Sequence, residues 1–302
     1  MAYHIIHILT HSSKLSIDRG CLVCSSPDGE KRLPKDDILA VIVAARGVLF
    51  TAGCLSDLLE NNTVILHCND KYQPIGKTIR LNQIVHPEIF ERQIKLQNSF
   101  SDILWKEILK SKIKNQAILL DTLKKEHKLC EMLNQNILNE SNAAKHYWNI
   151  YFSCFKKPPK TRERRGAIDP INQMLNYTYA VIGAILHRSI VAHGLNAQLG
   201  IHHKYRFKSD PLLYDLIEPL RPICDYLLIK FHLNNSKKKI EEWIKFVGKE
   251  ITEIKFKTED KKNIKMVYEI DRYVNSIANC FYTGNLNTLH TPCLSDIEIE
   301  KK

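Results

Sequence analysis

The hydrophobic pattern changes character near residues 83–87, and this change limits what the chain can fold into. Before it, short apolar runs such as 38–43 are separated by turn residues, which predicts β-strands. After it, apolar residues recur three and four positions apart over long segments, which predicts amphipathic helices. The sequence therefore predicts an α+β protein with two domains: a small N-terminal β-rich domain over residues 1–84 and a larger all-α domain over residues 85–302.

The same patterns assign individual elements. Strands are predicted over 14–18, 20–24, 38–43, 63–68 and 75–81, with a short helix over 52–60. Helices are predicted over 88–114, 116–127, 130–153, 169–193, 210–218, 226–233, 240–249 and 260–279. The segment 156–166 contains two prolines, a glycine and six basic residues, so it is predicted to be a basic loop. The tail from Leu286 is predicted to be frayed.

The charge of the chain favours a polyanionic partner. Lysine and arginine exceed aspartate and glutamate by 11 over 302 residues. A basic excess of this kind is typical of proteins that bind nucleic acid. The alternative is a lysine-rich composition that reflects an AT-rich genome and no particular partner.

Cysteine usage and the apolar runs indicate a cytoplasmic protein. The nine cysteines lack a regular spacing, which fits free thiols in a reducing cytosol. No signal peptide is recognisable. The longest apolar run, 38–50, is broken by Arg46 and is too short to span a bilayer, so no membrane partner is expected.

The segment 199–225 combines histidines, acids and a helix that prolines interrupt. Asp215 and Glu218 are three residues apart and therefore lie on one helical face. Pro219 then removes the hydrogen bond that its N–H would make to the carbonyl of Asp215. A helix that bends beside two acids, just after a pair of histidines, indicates a functional site.

Three side chains stand out as candidate ligands for a divalent cation, namely Glu140, His203 and Glu218. Two carboxylates and one imidazole suit Mg²⁺ or Mn²⁺ better than Zn²⁺, because hard oxygen donors predominate. Such an ion beside basic groups would act on phosphates. Spacing alone does not bring Glu140 to the other two, does not separate His203 from its neighbour His202, and leaves open that these are ordinary solvated acids.

Two further sets of residues have alternative interpretations. Asp215 is either another ligand, an acceptor that orients the site, or a helix acid paired with Lys208 or Arg221. The basic residues of 156–165 either contact DNA phosphates or form a solvated loop.

Four segments together resemble one protein family. They are NESNAAKHY at 139–147, RR at 164–165 followed by DPIN at 169–172 and Tyr179, GLN…GIHH at 194–203, and DLIEPLR at 215–221. In order and spacing they resemble the motifs of the CRISPR-associated integrase family, the catalytic subunit of the universal spacer-acquisition pair. The predicted order of a β-rich domain and a helical domain agrees with that family over nearly the whole chain.

The resemblance implies a site, a cofactor and partners. It places the catalytic and metal-binding residues at Glu140, His203 and Glu218, which favours His203 over His202, and a further acid near the site at Asp215. It implies Mg²⁺ or Mn²⁺ as cofactor and a prokaryotic, cytoplasmic location. It also implies a homodimer formed through the β-rich domains and a larger integration complex with the small second CRISPR adaptation protein.

The implied activity is the joining of the 3′-hydroxyl ends of short double-stranded DNA fragments into a repeat array by transesterification, with DNA endonuclease activity. Lys145, Arg162, Arg164 and Arg165 are the expected DNA-binding residues. Lys145 departs from the family's arginine and loses the bidentate fork of a guanidinium. The alternatives are a stand-alone metal-dependent nuclease for branched or repair-intermediate DNA, and a non-catalytic DNA-binding scaffold.

Overall fold

The computed structural model describes residues 4–81, 86–134, 140–164, 166–204, 210–234 and 239–297. Its strands are β1 (His4–Ile8), β2 (Lys14–Asp18), β3 (Cys21–Ser26), β4 (Gly29–Pro34), β5 (Ile38–Val43), β6 (Leu49–Phe50), β7 (Val64–Cys68), β8 (Pro74–Thr78), β9 (Lys255–Lys257) and β10 (Asn263–Lys265). Its α-helices are α1 (Ala52–Glu60), α2 (Pro87–Ile94), α3 (Asn98–Thr122), α4 (Leu129–Asn134), α5 (Glu140–Phe152), α6 (Pro170–Ala192), α7 (Pro211–Leu216), α8 (Arg221–Asn234), α9 (Ile240–Glu253) and α10 (Met266–Thr283). The α+β class and the order of strands before helices are confirmed.

Two four-stranded sheets form the N-terminal part. One has the order β1-β5-β7-β8, in which the first three strands are parallel and β8 is antiparallel to β7. The other has the order β4-β3-β2-β6 and is built on antiparallel hairpins. All six residues of β5 are buried. Ile38 and Val41 face a small core shared with α1, whereas Leu39 and Ile42 join the core of the helical part.

The long helix α6 forms the centre of the helical part. Asp169 caps its first turn by accepting a hydrogen bond from the backbone N–H of Asn172, and Gly194, with φ +73°, follows its last turn. Most of its side chains are buried. It packs against β5, β7 and β8 on one side and against α8, α9 and α10 on the other, so the apolar pattern that predicted a buried helix is accounted for.

Several predicted boundaries were wrong. The helix predicted over 88–114 is two helices, α2 and α3, and the second continues through the predicted break at residue 115. A short antiparallel pair, β9 and β10, lies inside the helical part. The tail is not frayed between residues 286 and 297, because Leu294 is fully buried there.

Other predictions lie wholly or partly outside the described residues. The domain boundary between residues 84 and 85 falls within 82–85, and it stays a prediction. The helix predicted over 130–153 is described only as α4 and α5, on either side of 135–139. Within the described residues, no helix has the length and apolarity needed to cross a bilayer.

Candidate metal and DNA site

A sharp turn carries Glu218. The helix α7 ends at Leu216, a single 3₁₀ turn covers Glu218–Leu220, and α8 begins at Arg221. Because Pro219 has no N–H, it cannot continue an α-helical ladder. The backbone carbonyl of Pro219 accepts a hydrogen bond from the side chain of Asn115 on α3, at 2.9 Å. The predicted bend is therefore present, and it leaves the Glu218 side chain only 4% exposed.

Asp215 holds the loop that carries the histidines. Its carboxylate accepts hydrogen bonds from the backbone N–H groups of Ile201, His202 and His203, at 2.7–3.1 Å. The loop approaches so closely that a Cβ on Gly200 would lie 2.3 Å from the carbonyl oxygen of His203 and 3.0 Å from Oδ2 of Asp215. Glycine is therefore required at this position.

The same carboxylate also orients the imidazole of His203. The distance from Nδ1 of His203 to Oδ1 of Asp215 is 2.6 Å. This contact leaves Nε2 as the ring nitrogen for an external ligand, which is the usual arrangement of a metal-binding histidine backed by a carboxylate. Among the interpretations left open for Asp215, the structure therefore supports the orienting acceptor.

A lysine that the sequence analysis did not select connects two of the candidate ligands, Glu140 and Glu218. Lys112 lies on α3, and its side chain is only 7% exposed. Its Nζ lies 2.9 Å from Oε1 of Glu140 and 2.7 Å from Oε2 of Glu218. These two oxygens are therefore at most 5.6 Å apart, the sum of the two distances. Two acids separated by 78 positions thus share one cation.

The electrostatics of Glu218 are set by its two cations. Burial alone would raise the pKa of Glu218, but Arg221 and Lys112 outweigh it and hold the pKa at about 2. Arg221 contributes a directed hydrogen bond from Nε to Oε1 at 2.9 Å. The 2.7 Å contact of Lys112 with Oε2 lacks hydrogen-bond geometry, so it acts mainly through charge. Glu218 is therefore an ionised carboxylate, and its Oε2 atom lacks a directed hydrogen bond.

The three candidate ligands are brought together only in part. Glu140 and Glu218 share Lys112, and His203 is bonded to Asp215 on the helix that leads to Glu218. The ligand atoms of all three do not lie within 4.8 Å of one another in the described structure. Trp105, two helical turns before Lys112, stacks on His202 and touches the edge of His203. The helix α3 therefore lines the site along one face.

A groove of about 790 Å³ lies beside this site. Basic side chains from three parts of the chain line it: Lys77, Arg162, Arg164 and Arg221. Its other residues include Tyr179 and Asn176 on α6 and the backbone of β8. Because Arg221 also bonds Glu218, the groove and the acid cluster are connected by one side chain. A basic groove of this kind suits a phosphate backbone.

The predicted DNA-binding residues differ in their surroundings. Arg162 is tied to the side chains of Asn172 and Asn176 and lies over the rings of Trp148 and Tyr179. Arg164 lines the groove, and Lys145 is exposed on α5. Arg165 lies outside the described residues.

Buried hydroxyl groups surround a second acid, Asp225, on α8. Tyr147 and Tyr179 donate hydrogen bonds to its carboxylate, and Tyr151 donates to its backbone carbonyl. Burial raises the pKa of Asp225 to about 6, although the two hydroxyls act to lower it. The ring of Tyr179 also supports the guanidinium of Arg221, 4.7 Å from the ring centroid. This network therefore fixes one wall of the groove.

Another cluster of potential ligands lies at the end of α3. In the part of the chain that the structure describes, the ligand atoms of Asp121, His127 and Cys130 lie within 4.8 Å of one another. His127 is already satisfied on both nitrogens, because Nδ1 accepts from the backbone N–H of Leu129 and Nε2 lies 3.1 Å from Asp121. A metal at Nε2 would require a proton at Nδ1 and break the first contact. The cluster is therefore explained as a local cap of α4.

The sequence matches a family over most of its length. The family described as "CRISPR associated protein Cas1" matches residues 6–139 and 130–246. This chain belongs to the Cas1 family. The CRISPR-associated endonuclease Cas1 of Neisseria meningitidis serogroup C (strain 8013) is 29% identical over 230 residues, which are 74% of this chain and 75% of that protein.

Solved structures share the fold at lower sequence identity. A casposase bound to an integration product has a TM-score of 0.80 and 19% identity, and the match covers 100% of this chain and 96% of the casposase. A Cas6-RT-Cas1–Cas2 complex has a TM-score of 0.78 and 16% identity, with 97% of this chain and 36% of that chain covered. These likenesses establish the Cas1 fold for this chain.

Within this Cas1 fold, sequence reasoning missed Lys112 and Asn115. A signal was present, because residues 104, 108, 112, 115 and 119 form one buried stripe of α3, and a lysine and an asparagine interrupt its leucines and isoleucine. A charged residue on a buried stripe requires a partner. The sequence could not identify the partners of these two side chains, because the partners are distant along the chain. Pro219 is 104 residues from Asn115, and Glu218 is also more than a hundred residues from Lys112.

Proposed function

We propose that this Cas1 protein is a metal-dependent DNA integrase of CRISPR adaptation. It would join the 3′-hydroxyl ends of short DNA fragments into a repeat array by transesterification. One observation carries the proposal: Glu140 and Glu218 meet at a single buried cation beside a groove lined by arginines and Lys77. Family membership and the fold shared with a casposase bound to an integration product support it.

The donor set fits a divalent ion. Glu140, Glu218 and the Nε2 nitrogen of His203 would hold Mg²⁺ or Mn²⁺, since these ions prefer hard oxygen ligands. Two features support the fit, namely that the carboxylates already surround a cation and that Oε2 of Glu218 has no directed hydrogen bond. When bound, the ion supplies polarisation of a phosphate and a lower pKa for a coordinated hydroxyl.

The protein's own groups have separate roles in this proposal. Asp215 keeps the imidazole of His203 in one orientation, and Arg221 keeps Glu218 ionised. Arg162 and Arg164, with Lys145 on the neighbouring helix, would contact DNA phosphates and guide the strand toward the acids. One phosphodiester replaces another, so the reaction requires no nucleotide cofactor.

Replacement of Glu218 tests the proposal. We expect Glu218→Ala to reduce strand transfer of a short duplex into a repeat-bearing plasmid by at least about 100-fold, because a ligand and its charge are both lost. Glu253→Ala, on the exposed end of α9, is the matched control and should retain full activity. Intact strand transfer by the folded Glu218→Ala protein would refute the assignment.

The partners are part of the same proposal. We propose a homodimer formed through the β-rich domains and a larger complex with the small second adaptation protein; a solved Cas1–Cas2 complex with the same fold supports the latter. Native mass spectrometry of the protein, alone and with that partner, measures both. A monomer that ignores the partner would contradict this part.

A second candidate function is a stand-alone nuclease, because the matched relative from Neisseria meningitidis is described as an endonuclease. This function predicts hydrolysis of branched DNA without a repeat and without the small partner. A non-catalytic scaffold would instead bind duplex DNA equally with and without chelator and cleave nothing. Parallel assays of transfer, hydrolysis and binding on the same preparation separate the three functions.

A further inference from the structure

Lys112 occupies a position that a divalent ion would need. Its ammonium lies within 3 Å of an oxygen of each of the two carboxylates proposed as ligands, Glu140 and Glu218. With Arg221 also bound to Glu218, two cations balance two carboxylates in this cluster. A divalent ion placed between the same oxygens would put two more positive charges beside the Lys112 ammonium, in a site where Glu218 and Lys112 are almost fully buried.

The displaced ammonium needs an anion close to its present position. Lysine carries its charge on a flexible stem of four carbons, so it can turn without movement of α3. Arg221 connects the cluster to the groove, which is lined by further basic residues. Among the described residues that line the groove, Asp210 alone carries a carboxylate, and it already pairs with Lys77 at 2.6 Å. A DNA phosphate in the groove would supply the missing negative charge.

We infer that Lys112 is a displaceable counter-ion that couples metal binding to DNA binding. In the protein without DNA, Lys112 occupies the space between Glu140 and Glu218, balances their charge together with Arg221, and keeps the affinity for a divalent ion low. When DNA enters, its phosphate accepts the ammonium and the carboxylates become available. This inference rests on the proposed function and assigns a positioning role to a residue outside the family motifs quoted above.

The coupling predicts a measurable change both in the affinity for the metal and in the affinity for DNA. By thermodynamic linkage, DNA must raise the affinity for the metal by the same factor as the metal raises the affinity for DNA. Removal of a competing unit charge about 3 Å from both ligands should change metal affinity by about tenfold or more.

The experiment is a titration of the full-length protein with Mn²⁺ in which electron paramagnetic resonance measures the free ion. Wild type, Lys112→Met and Lys114→Met are compared with and without a short DNA duplex. The same duplex mixed with Glu218→Gln gives the Mn²⁺ bound by DNA itself. Lys114 is the matched control, because it lies two residues away on α3 and is exposed.

We expect wild type and Lys114→Met to bind Mn²⁺ weakly alone and about tenfold more tightly with DNA. Lys112→Met should bind Mn²⁺ about tenfold more tightly than wild type without DNA, and DNA should then add less than about threefold. If Lys112→Met binds Mn²⁺ no more tightly than wild type, Lys112 is only structural and the inference is wrong.

Two further outcomes keep the inference separate from the proposed function. If wild type binds no Mn²⁺ in either condition and transfers no strand, the proposed function itself fails. If Lys112→Met does not fold, which circular dichroism shows, Lys112→Gln provides the same test with a polar side chain of similar length. Unchanged coupling in Lys112→Gln would overturn the inference equally.

Discussion

Glu218 and Asp225 are two buried carboxylates, seven residues apart, with opposite chemistry. Glu218 is paired with Arg221 and Lys112, and its pKa is held at about 2. Asp225 is bonded mainly to tyrosine hydroxyls, and burial raises its pKa to about 6. Both side chains are almost inaccessible to solvent. The comparison shows that the charge of the partners, and not burial alone, decides whether the pKa of a buried acid is lowered or raised.

The largest effect is expected from Glu218→Gln, which would leave Arg221 and Lys112 with an uncharged partner. Breaking a buried ion pair from one side costs about 4 kcal/mol, because the remaining cations stay desolvated. Urea unfolding measures the loss of free energy of unfolding. Glu250→Gln is the control, because its pair with Lys230 is partly exposed and should cost less than about 1 kcal/mol. Equal losses in both variants would contradict the stated role of burial.

Asn115→Ala should lower the free energy of unfolding by about 3 kcal/mol, because Asn115 is fully buried and joins two distant segments. Its side chain donates to the carbonyls of Pro219 and Pro292 and accepts from the N–H of Leu294, each at 2.9 Å. Removal leaves these buried backbone groups without their partner. The loss is measured by thermal and urea unfolding.

Ser276→Ala sharpens this test. Ser276 holds the same tail through His290, and the hydrogen bonds of its side chain go to Tyr273 and His290, which lie outside the turn that carries Glu218. We expect Asn115→Ala to weaken Mn²⁺ binding in the presence of DNA and Ser276→Ala to leave it unchanged. Equal metal binding by both variants would show that Asn115 stabilises the tail without positioning Glu218.

The Asp225→Asn variant tests the raised pKa of Asp225 through the pH dependence of the free energy of unfolding. The pKa of Asp225 rises from 3.8 to about 6 on folding, so the folded state binds more protons between these values. The stability of the wild type therefore falls as pH rises from about 4 to 6, by about 2 to 3 kcal/mol for this group, and is constant above. The asparagine does not titrate.

The measurement is the free energy of unfolding of both proteins from pH 4 to 7. The difference, wild type minus Asp225→Asn, should decrease with pH across this window. Glu218 contributes in the opposite direction, because its lowered pKa gives stability that is lost only as pH falls from about 4.5 to 2. A difference that stays flat would show that Asp225 titrates normally in the folded protein.

The smallest effect is expected from Tyr147→Phe, which should lower the free energy of unfolding by about 1 kcal/mol. The loss is small because the Tyr179 hydroxyl still bonds the carboxylate of Asp225. Loss of this donor should also move the pH window of Asp225 upward. Tyr179→Leu is the informative partner, since it also removes the ring that lines the groove and supports Arg221. If only Tyr179→Leu weakened DNA binding in a salt titration, the groove assignment would gain support; equal effects of Tyr147→Phe and Tyr179→Leu on DNA binding would contradict it.

Local sequence determined much of this architecture. Alternation and apolar runs predicted the strands, Asp169-Pro170 and Gly194 bounded α6, and Pro219 predicted the bend beside Glu218. These features depend on neighbours within a few residues, so a pattern can show them. The motif segments likewise place Asp215, Glu218 and His203 within one short segment of the sequence.

Tertiary structure alone decided the partners of the buried polar groups. The sequence pattern predicts a helix break at Asn115, yet α3 continues through it because Asn115 is buried and bonds residues more than a hundred positions away. Residues 286–297 of the tail are held in place for the same reason, because Asn115 bonds Pro292 and Leu294. Lys112 meets Glu140 and Glu218 only when three helical segments pack. A polar side chain shows in the sequence that it needs a partner, but chain packing selects that partner, because contact in space is independent of distance along the chain.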